Sequence, residues 1–139
     1  MKTFSTDKLI RFQHCDPGGI VFTPQYFNLF TEVIEDWFAN GLNFSFSQMV
    51  VKNRQGIPAM KIVAKFMKPS FLGDVLLYHL TVKRLRKSSV LINIVASSGP
   101  EKRCSANFLL GFSEISQIGL TEWPRDLYKR MMEYSKESD

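Results

Sequence analysis

The spacing of apolar residues changes period along this chain, and each change predicts a different kind of element. Between residues 24 and 40, apolar side chains recur every three or four positions, and acidic side chains occupy the opposite face. The apolar positions are Phe27, Phe30, Ile34, Trp37 and Phe38. This helical period predicts one long helix over residues 24–40. Because aromatic stripes of this kind usually pack in a core, we assign them to packing rather than to a ligand site.

From Gly56 onward the period falls to two, which is the period of β-strands. Apolar Met60, Ile62 and Phe66 alternate with Lys61 and Lys65, so this strand has one solvated face. Turn residues such as Gly73-Asp74 and Ser98-Gly99-Pro100 separate this segment from further apolar runs. The other strands are predicted at Phe4–Phe12, Val75–Leu85, Ser89–Ser97 and Cys104–Ile115.

The remaining segments complete an α+β architecture. Residues 42–55 are ambiguous, with a short helix around Phe46–Val51, and Arg125–Tyr134 form a final amphipathic helix. Residues Lys136 to Asp139 are expected to fray. An antiparallel sheet with one apolar face, wrapped around one long apolar helix, is the arrangement that buries both. We predict a single domain over residues 1–139.

Composition narrows the class of protein. The chain has 139 residues, of which 45% are hydrophobic and 22% charged, a balance typical of a folded domain rather than a disordered chain. No apolar run reaches the roughly 18 residues of a membrane span. Residues 1–7 lack the apolar stretch of a secretory signal, so we expect a cytoplasmic protein with no membrane partner. Cys15 and Cys104 are too few for a disulfide framework, and no ligand spacing suggests a metal site.

The net charge of +5 indicates an anionic partner or simply a soluble surface. Nucleic acid, a membrane surface and a polyanionic small molecule would each suit it. The most concentrated basic segment is the predicted turn Arg86-Lys87-Ser88, close to Lys83 and Arg84 and joined by Lys102-Arg103. On residues alone this turn fits a phosphate site and a solvated hairpin end equally well.

The richest candidate chemistry lies between His14 and Phe27. Asp16 opens a Pro17-Gly18-Gly19 turn, where aspartate commonly bonds its own backbone. Thr23 and Pro24 then form a good helix start, with Thr23 as N-cap and Pro24 at the first helical position. Since a helix N-terminus carries unpaired N–H groups and partial positive charge, it can stabilise the oxyanion of an acyl-transfer intermediate. The donors would be the N–H groups of Thr23, Gln25 and Tyr26.

His14 and Cys15, which precede Asp16, are also candidates for a chemical role. His14 lies on the same face if the segment is extended and either orients the carboxylate or is a partly buried loop histidine. Cys15 points to the opposite face from His14, so a cysteine nucleophile paired with that base is disfavoured.

The segment from Asp16 to Phe22, followed by Pro24-Gln25-Tyr26, resembles the active-site motif of the 4-hydroxybenzoyl-CoA thioesterase family, whose members have the hotdog fold. The resemblance implies an acyl-CoA thioesterase in which Asp16 is nucleophile or general base and the Thr23 N–H is an oxyanion donor. It further implies homodimers or homotetramers, and no cofactor beyond the coenzyme A of the substrate. The implied substrate contacts are His14, Phe22, Pro24 and Tyr26, with Arg86, Lys87 and Ser88 at the CoA phosphates.

Several positions depart from that family pattern. Relatives often carry Tyr or His where Thr23 stands, and one branch has Tyr in place of Phe12. Gly18 replaces an alanine of the founding aromatic-acyl enzyme. These changes keep Asp16 and the backbone donor, but they argue against 4-hydroxybenzoyl-CoA itself as the substrate and leave the acyl group open.

Three other functions fit the sequence less well. A hotdog dehydratase would use a His and acid pair in a differently spaced motif that this sequence lacks. A non-catalytic acyl-CoA-binding or regulatory protein would have no need for Asp16 and is the main alternative. A nucleic-acid binder is disfavoured, because the aromatics lie on core-like faces rather than among surface Lys and Arg.

Overall fold

The computed structural model of the protein describes residues 2–135, so the predicted fraying of residues 136–139 lies outside the described chain. These residues contain two α-helices, α1 at Thr23–Asp36 and α2 at Arg125–Met132. Short turns of 3-10 or π-helix lie at Phe12–His14, Trp37–Gly41 and Ser47–Lys52. The strands are β1 Phe4–Leu9, β2 Gln55–Gly56, β3 Ala59–Phe66, β4 Val75–Leu85, β5 Ser89–Ser98, β6 Glu101–Gly111 and β7 Ser113–Glu114.

Five of the strands form one antiparallel sheet in the order β1-β4-β5-β6-β3. Side chains alternate between the two faces along most of β4, β5 and β6, so that every second residue is buried over Leu76–Val82, Val90–Ala96 and Cys104–Leu110. The short strands β2 and β7 pair separately. The α+β prediction is therefore confirmed, and β1 and β3 are the two outer strands of the main sheet.

Helix α1 packs across the inner face of this sheet. Phe30, which is fully buried, meets the rings of Tyr78 on β4 and Phe108 on β6 at centroid distances of 6.0 and 5.9 Å. Burying a phenylalanine side chain contributes about 1.5–3 kcal/mol, so a few such contacts set the position of the helix firmly. The predicted aromatic face of residues 24–40 is confirmed as core, with Ile34, Trp37 and Phe38 also buried.

The first predicted strand is shorter than its apolar pattern suggested. β1 ends at Leu9, and the chain then turns, so that Phe12 is 79% exposed. Ile10 between them is fully buried and bonds through its backbone to Gly73 and Asp74. These bonds tie the chain to the turn before β4 and end its pairing as a strand.

Two other boundaries differ from the predictions. The helix predicted over residues 24–40 changes to a wider π-turn after Asp36, closed by a bond from the Leu42 N–H to the Trp37 carbonyl. The strand predicted as Cys104–Ile115 breaks at Phe112, a fully buried residue whose N–H and C=O bond other segments. In the ambiguous 42–55 region, the predicted short helix corresponds to the turn at Ser47–Lys52.

The edge strand β3 is the least covered part of the sheet. Ile62 and Phe66 pair with the buried Phe108 and Cys104 and so face the helix side of the sheet, yet they are 42% and 44% exposed; Met60, at a bulge in the strand, is 46% exposed. Helix α1 lies too far across the sheet to cover all of this edge. The result is an apolar edge with unpaired backbone groups, a feature that folded proteins usually cover.

The close packing at Gly41 gives a test of the core. A Cβ atom there would lie 2.7 Å from Trp37 Cδ1 and 2.9 Å from the Tyr134 hydroxyl. Because Trp37 is fully buried and cannot move aside freely, we expect Gly41→Ala to lower the free energy of unfolding by about 1–3 kcal/mol in urea denaturation. Gly56→Ala is the control, since its nearest atom lies 3.7 Å away. Equal stability of the two variants would contradict this packing.

Candidate active site

The segment from His14 to Phe22 is a tight hairpin with Asp16 near its tip. The Phe22 N–H donates to the His14 carbonyl and the Asp16 N–H donates to the Ile20 carbonyl, each at 2.9 Å. Gly19 has a φ of +80°, which glycine adopts without strain. The sequence of Pro and two Gly thus produces a turn that holds Asp16 on a short, well-bonded loop.

Asp16 uses one carboxylate oxygen for this turn and leaves the other uncommitted. Its Oδ1 accepts from the Gly18 N–H at 2.8 Å and from the Ile20 N–H at 3.3 Å. Within residues 2–135, no group donates to Oδ2. The turn role and the chemical role are therefore compatible, because the bonds that orient the carboxylate occupy one oxygen only.

Helix α1 begins one residue earlier than predicted. Phe22, not Thr23, is the N-cap: its backbone is extended, with a ψ of 125°, and its carbonyl accepts the Gln25 N–H at 2.8 Å. The assignment of Thr23 as N-cap is wrong, because the hairpin bond to His14 already places Phe22 at the helix entrance. Thr23 and Pro24 are the first two helical residues.

This shift determines which backbone donors are free. Pro24 has no N–H and the Gln25 N–H is engaged by Phe22. The Thr23 N–H finds no acceptor in the described part of the chain. Of the donors predicted at the helix start, the Gln25 N–H is therefore engaged and the Thr23 N–H is open to a ligand.

A cavity of about 230 Å³ lies beside this helix start. Tyr26 on its wall is buried, and its ring lies 5.2 Å from that of the exposed Phe66 at the end of β3. Burial raises the pKa of the Tyr26 phenol, and a hydrogen bond with Ser70 offsets part of that rise. The cavity is lined by Ile20, Val21, Thr23, Tyr26, Phe66, Met67, Lys68 and Pro69. Asp16 is outside this lining, while the side chains of Phe22 and Pro24 are exposed at the helix entrance.

His14 and Cys15 both serve the turn. The buried His14 accepts the Arg11 N–H at its Nδ1, 2.9 Å away, and makes no hydrogen bond to Asp16. The Cys15 Sγ lies 3.5 Å from the Arg11 carbonyl. Burial, followed by the nearby Asp16 carboxylate, raises the pKa of the Cys15 thiol. A thiol of this kind is a poor source of thiolate, which disfavours Cys15 as a nucleophile.

Arg103, one of the cations near the predicted basic patch, is a positioning residue in the structure. Arg103 on β6 donates to the Asp74 carboxylate at 2.8 Å and to the Pro69 carbonyl at 3.1 Å, and pairs with Glu101 at 2.7 Å. The Pro69-Ser70 segment in turn accepts the Val21 N–H through the Ser70 carbonyl. Arg103 is therefore not a free surface cation, because it holds residues 69–74, the strap against which the Asp16 hairpin lies.

The basic turn Arg86-Lys87-Ser88 lies at the other end of the sheet. The Asp16 hairpin meets the chain near Phe71 and the start of β4, whereas the turn follows the last residue of β4. β4 has 11 residues, which span about 33 Å at the usual rise of a strand. Within one protomer, the candidate catalytic residues and the candidate CoA-phosphate residues are therefore far apart. Beside Lys87 is a cleft of about 390 Å³ that Arg125 and Trp123 also line.

The described chain contains neither a cluster of metal-ligating side chains nor a helix that could span a membrane. Across residues 2–135, no three His, Cys, Asp or Glu side chains converge as metal ligands would. Neither helix within the same range has the length and apolar character needed to cross a bilayer.

The pH dependence of stability tests whether the ion pair between Asp74 and Arg103 stabilises the strap. The Arg103 hydrogen bond holds the pKa of Asp74 below its usual value. A depressed pKa contributes stability that is complete above the unfolded value of about 3.9 and is lost as the pH falls through the folded value. We expect Asp74→Asn to cost roughly 1 kcal/mol at neutral pH and to lose less stability than wild type between about pH 5 and pH 3.

Thermal unfolding monitored by circular dichroism across that pH range measures the effect. Glu35→Gln serves as the control, because Glu35 is exposed and has no ion pair within residues 2–135. Parallel pH profiles of wild type and Asp74→Asn would show that the pair does not stabilise the fold.

Comparison with known proteins relates this chain to a family of known fold. No curated protein matches the chain by sequence. Among solved structures, a 1,4-dihydroxy-2-naphthoyl-CoA thioesterase from Synechocystis is 17% identical, with a TM-score of 0.84 over 94% of this chain and 96% of that one. A gentisyl-coenzyme A thioesterase is also 17% identical, with a TM-score of 0.80 over 94% and 99% of the two chains.

A third similar structure is a Staphylococcus aureus protein in complex with CoA, 11% identical with a TM-score of 0.85 over 96% of this chain and 84% of that one. At such low identity these likenesses show the fold, and the hotdog prediction is confirmed. The model of the thioesterase-like superfamily matches residues 10–131. This match supports the predicted class of thioester hydrolases, and the chain belongs to the thioesterase-like superfamily.

Proposed function

We propose that the protein hydrolyses an acyl-CoA thioester at the junction of the Asp16 hairpin and helix α1. The observation that carries the proposal is the pair of free groups on this loop: the Asp16 Oδ2 and the Thr23 N–H, neither of which has a partner in residues 2–135. One is an anionic oxygen and the other a donor at the positive end of a helix. Acyl transfer needs this combination, an attacking or basic group and a donor for the developing oxyanion.

The chemistry divides between the two groups. The Thr23 N–H donates to the thioester carbonyl oxygen as negative charge develops there, an effect worth about 3 kcal/mol for one donor. Asp16 then acts by one of two routes. It attacks the carbonyl carbon and expels the CoA thiolate, leaving an anhydride that water hydrolyses, or it accepts a proton from the water that attacks.

The acyl group is proposed to occupy the cavity next to Tyr26, with Phe22 and Pro24 at its entrance. The walls contributed by Tyr26 and Phe66 are aromatic, which suits an apolar acyl group. Phe66 and Met67 also line this cavity, and because both are exposed, the cavity is open to solvent on their side. Another surface is needed to exclude water from the reacting carbonyl.

A second copy of the chain would supply that surface. The exposed apolar edge of β3 can pair with its own copy about a two-fold axis, which joins the two sheets into one. Because the pairing is antiparallel, it turns the far end of the partner's sheet toward this hairpin. Arg86 and Lys87 of the partner subunit would then lie at the same end of the joined sheet as Asp16, whereas within one protomer the two groups lie at opposite ends, about 33 Å apart.

The CoA phosphates are proposed to bind the turn Arg86-Lys87-Ser88. Arg86 and Lys87 are exposed, and neither has an ion-pair partner in the described residues. The backbone is firm, because the Lys87 carbonyl accepts the Trp123 N–H at 2.9 Å and the Ser88 carbonyl accepts the Phe112 N–H at 3.1 Å. A rigid turn with two free cations suits a polyanionic nucleotide.

A non-catalytic acyl-CoA-binding protein is the second candidate. It is favoured by the bonds from Gly18 and Ile20 to Asp16, which give the carboxylate a structural role. The two candidates differ in what Asp16→Asn does, since asparagine retains the oxygen that accepts these bonds but is not a base or a carboxylate nucleophile.

We expect Asp16→Asn to lower kcat at least about 100-fold, the usual contribution of a general base, while the melting temperature stays close to that of wild type. The assay is thiol release from a panel of short aliphatic, long aliphatic and aromatic acyl-CoAs. Asp7→Asn on the exposed edge of β1 is the matched control. Near-normal turnover by Asp16→Asn would remove Asp16 from the mechanism, and binding without turnover by wild type would favour the second candidate.

Removal of the cations at the basic turn should act on substrate binding instead. We expect Arg86→Ala combined with Lys87→Ala to raise KM for the best acyl-CoA about tenfold or more, with little change in kcat and a weaker dependence on salt. Steady-state kinetics at two salt concentrations measure both effects. Lys129→Ala, which removes an exposed cation from α2, is the control. An unchanged KM in the double variant would reject this phosphate site.

A further inference from the structure

The outer face of the sheet, away from helix α1, has a polar depression of about 210 Å³ that the proposed reaction does not use. The sheet register places Asn93 on β5 opposite Asn107 on β6, and Ser105 on β6 opposite Lys65 on β3. Lys83 on β4 completes the rim. Neither Asp16 nor Thr23 lines it, so it is a separate feature of the molecule.

A bulge in β4 concentrates positive charge at this rim. Val82 pairs with Ile92 and Arg84 pairs with Leu91, so Lys83 is an extra residue in β4. Strict alternation would turn Arg84 toward the buried face, but Lys83 and Arg84 are both exposed and Leu85 is buried. Bulges redirect side chains in this way at the cost of regular pairing. Here the irregularity places two adjacent cations on the outer face.

The floor of the depression consists of oriented hydrogen-bond donors. The Asn93 Nδ2 donates to the Asn107 Oδ1 at 2.9 Å, which fixes both amides. The Asn107 Nδ2 and the Ser105 hydroxyl stay available as donors. No acidic side chain lines the depression, and in residues 2–135 neither Lys65 nor Lys83 has an ion-pair partner. Two unneutralised ammonium groups and at least two neutral donors thus surround one small space.

We propose that this depression binds a phosphoryl group. A tetrahedral dianion offers several acceptor oxygens, which match donors arriving from Lys65, Lys83, Asn107 and Ser105 on different sides. The volume is below the roughly 300–1,000 Å³ of pockets that enclose whole organic ligands, which favours a single small anionic group. Strand pairing at the β3 edge uses backbone groups and leaves this outer face open.

The phosphoryl group has two sources, free inorganic phosphate or the 3′-phosphate of a CoA molecule. Titrations of the ¹⁵N-labelled protein with inorganic phosphate, CoA and 3′-dephospho-CoA at constant pH and ionic strength separate them. The signals to follow are the side-chain amides of Asn93 and Asn107, with sodium chloride as the reference salt. We expect saturable shifts with phosphate if the free anion binds, or with CoA but not 3′-dephospho-CoA if the nucleotide supplies the group.

The variants Lys65→Gln and Lys83→Gln keep a long polar side chain and remove one charge each. Each should weaken the apparent affinity about tenfold, whereas Lys129→Gln on α2 should not change it. Unsaturable shifts with all three compounds would overturn the proposal. So would saturable shifts of equal midpoint in wild type and in both lysine variants, because the ligand would then bind elsewhere.

Discussion

The packing of helix α1 across the inner face of the sheet is the constraint on which the rest of the molecule depends. Phe30 lies against rings from β4 and β6, and Tyr26 lies against Phe66 at the end of β3. These contacts determine where the helix begins relative to the sheet. The Thr23 N–H and the hairpin that contains Asp16 therefore occupy a position set by the hydrophobic core, not by the loop alone.

Regular periods made much of this fold predictable, and long-range bonds limited the rest. The bounds of β4 and the aromatic face of α1 follow from apolar spacing, because burial selects the same positions that the pattern shows. The Asp16 motif likewise indicated its own turn. The N-cap at Phe22 depends on a bond to His14, and the role of Arg103 depends on Asp74, 29 residues away. No local pattern encodes partners at that distance.

Charge pairing explains which basic residues are available to ligands. Arg103 and Lys68 are engaged with Glu101, and Lys8 is engaged with Asp36, so these three cations stabilise the fold and are not free to bind a ligand. The exposed cations without partners in residues 2–135 include the Arg86-Lys87 turn and the rim of the outer-face depression. Each of these two places brings together at least two unpaired cations, which suits a phosphate group.

We propose that two protomers share each site, with Asp16 from one and the Arg86-Lys87 turn from the other. A purified heterodimer of an Asp16→Asn protomer and an Arg86→Ala, Lys87→Ala protomer, assayed below KM, tests this directly. Shared sites would leave one intact site per heterodimer, so turnover should recover to about half of the wild-type value. Activity no higher than that of the two parent variants would contradict the account, because both sites would then be built within single chains.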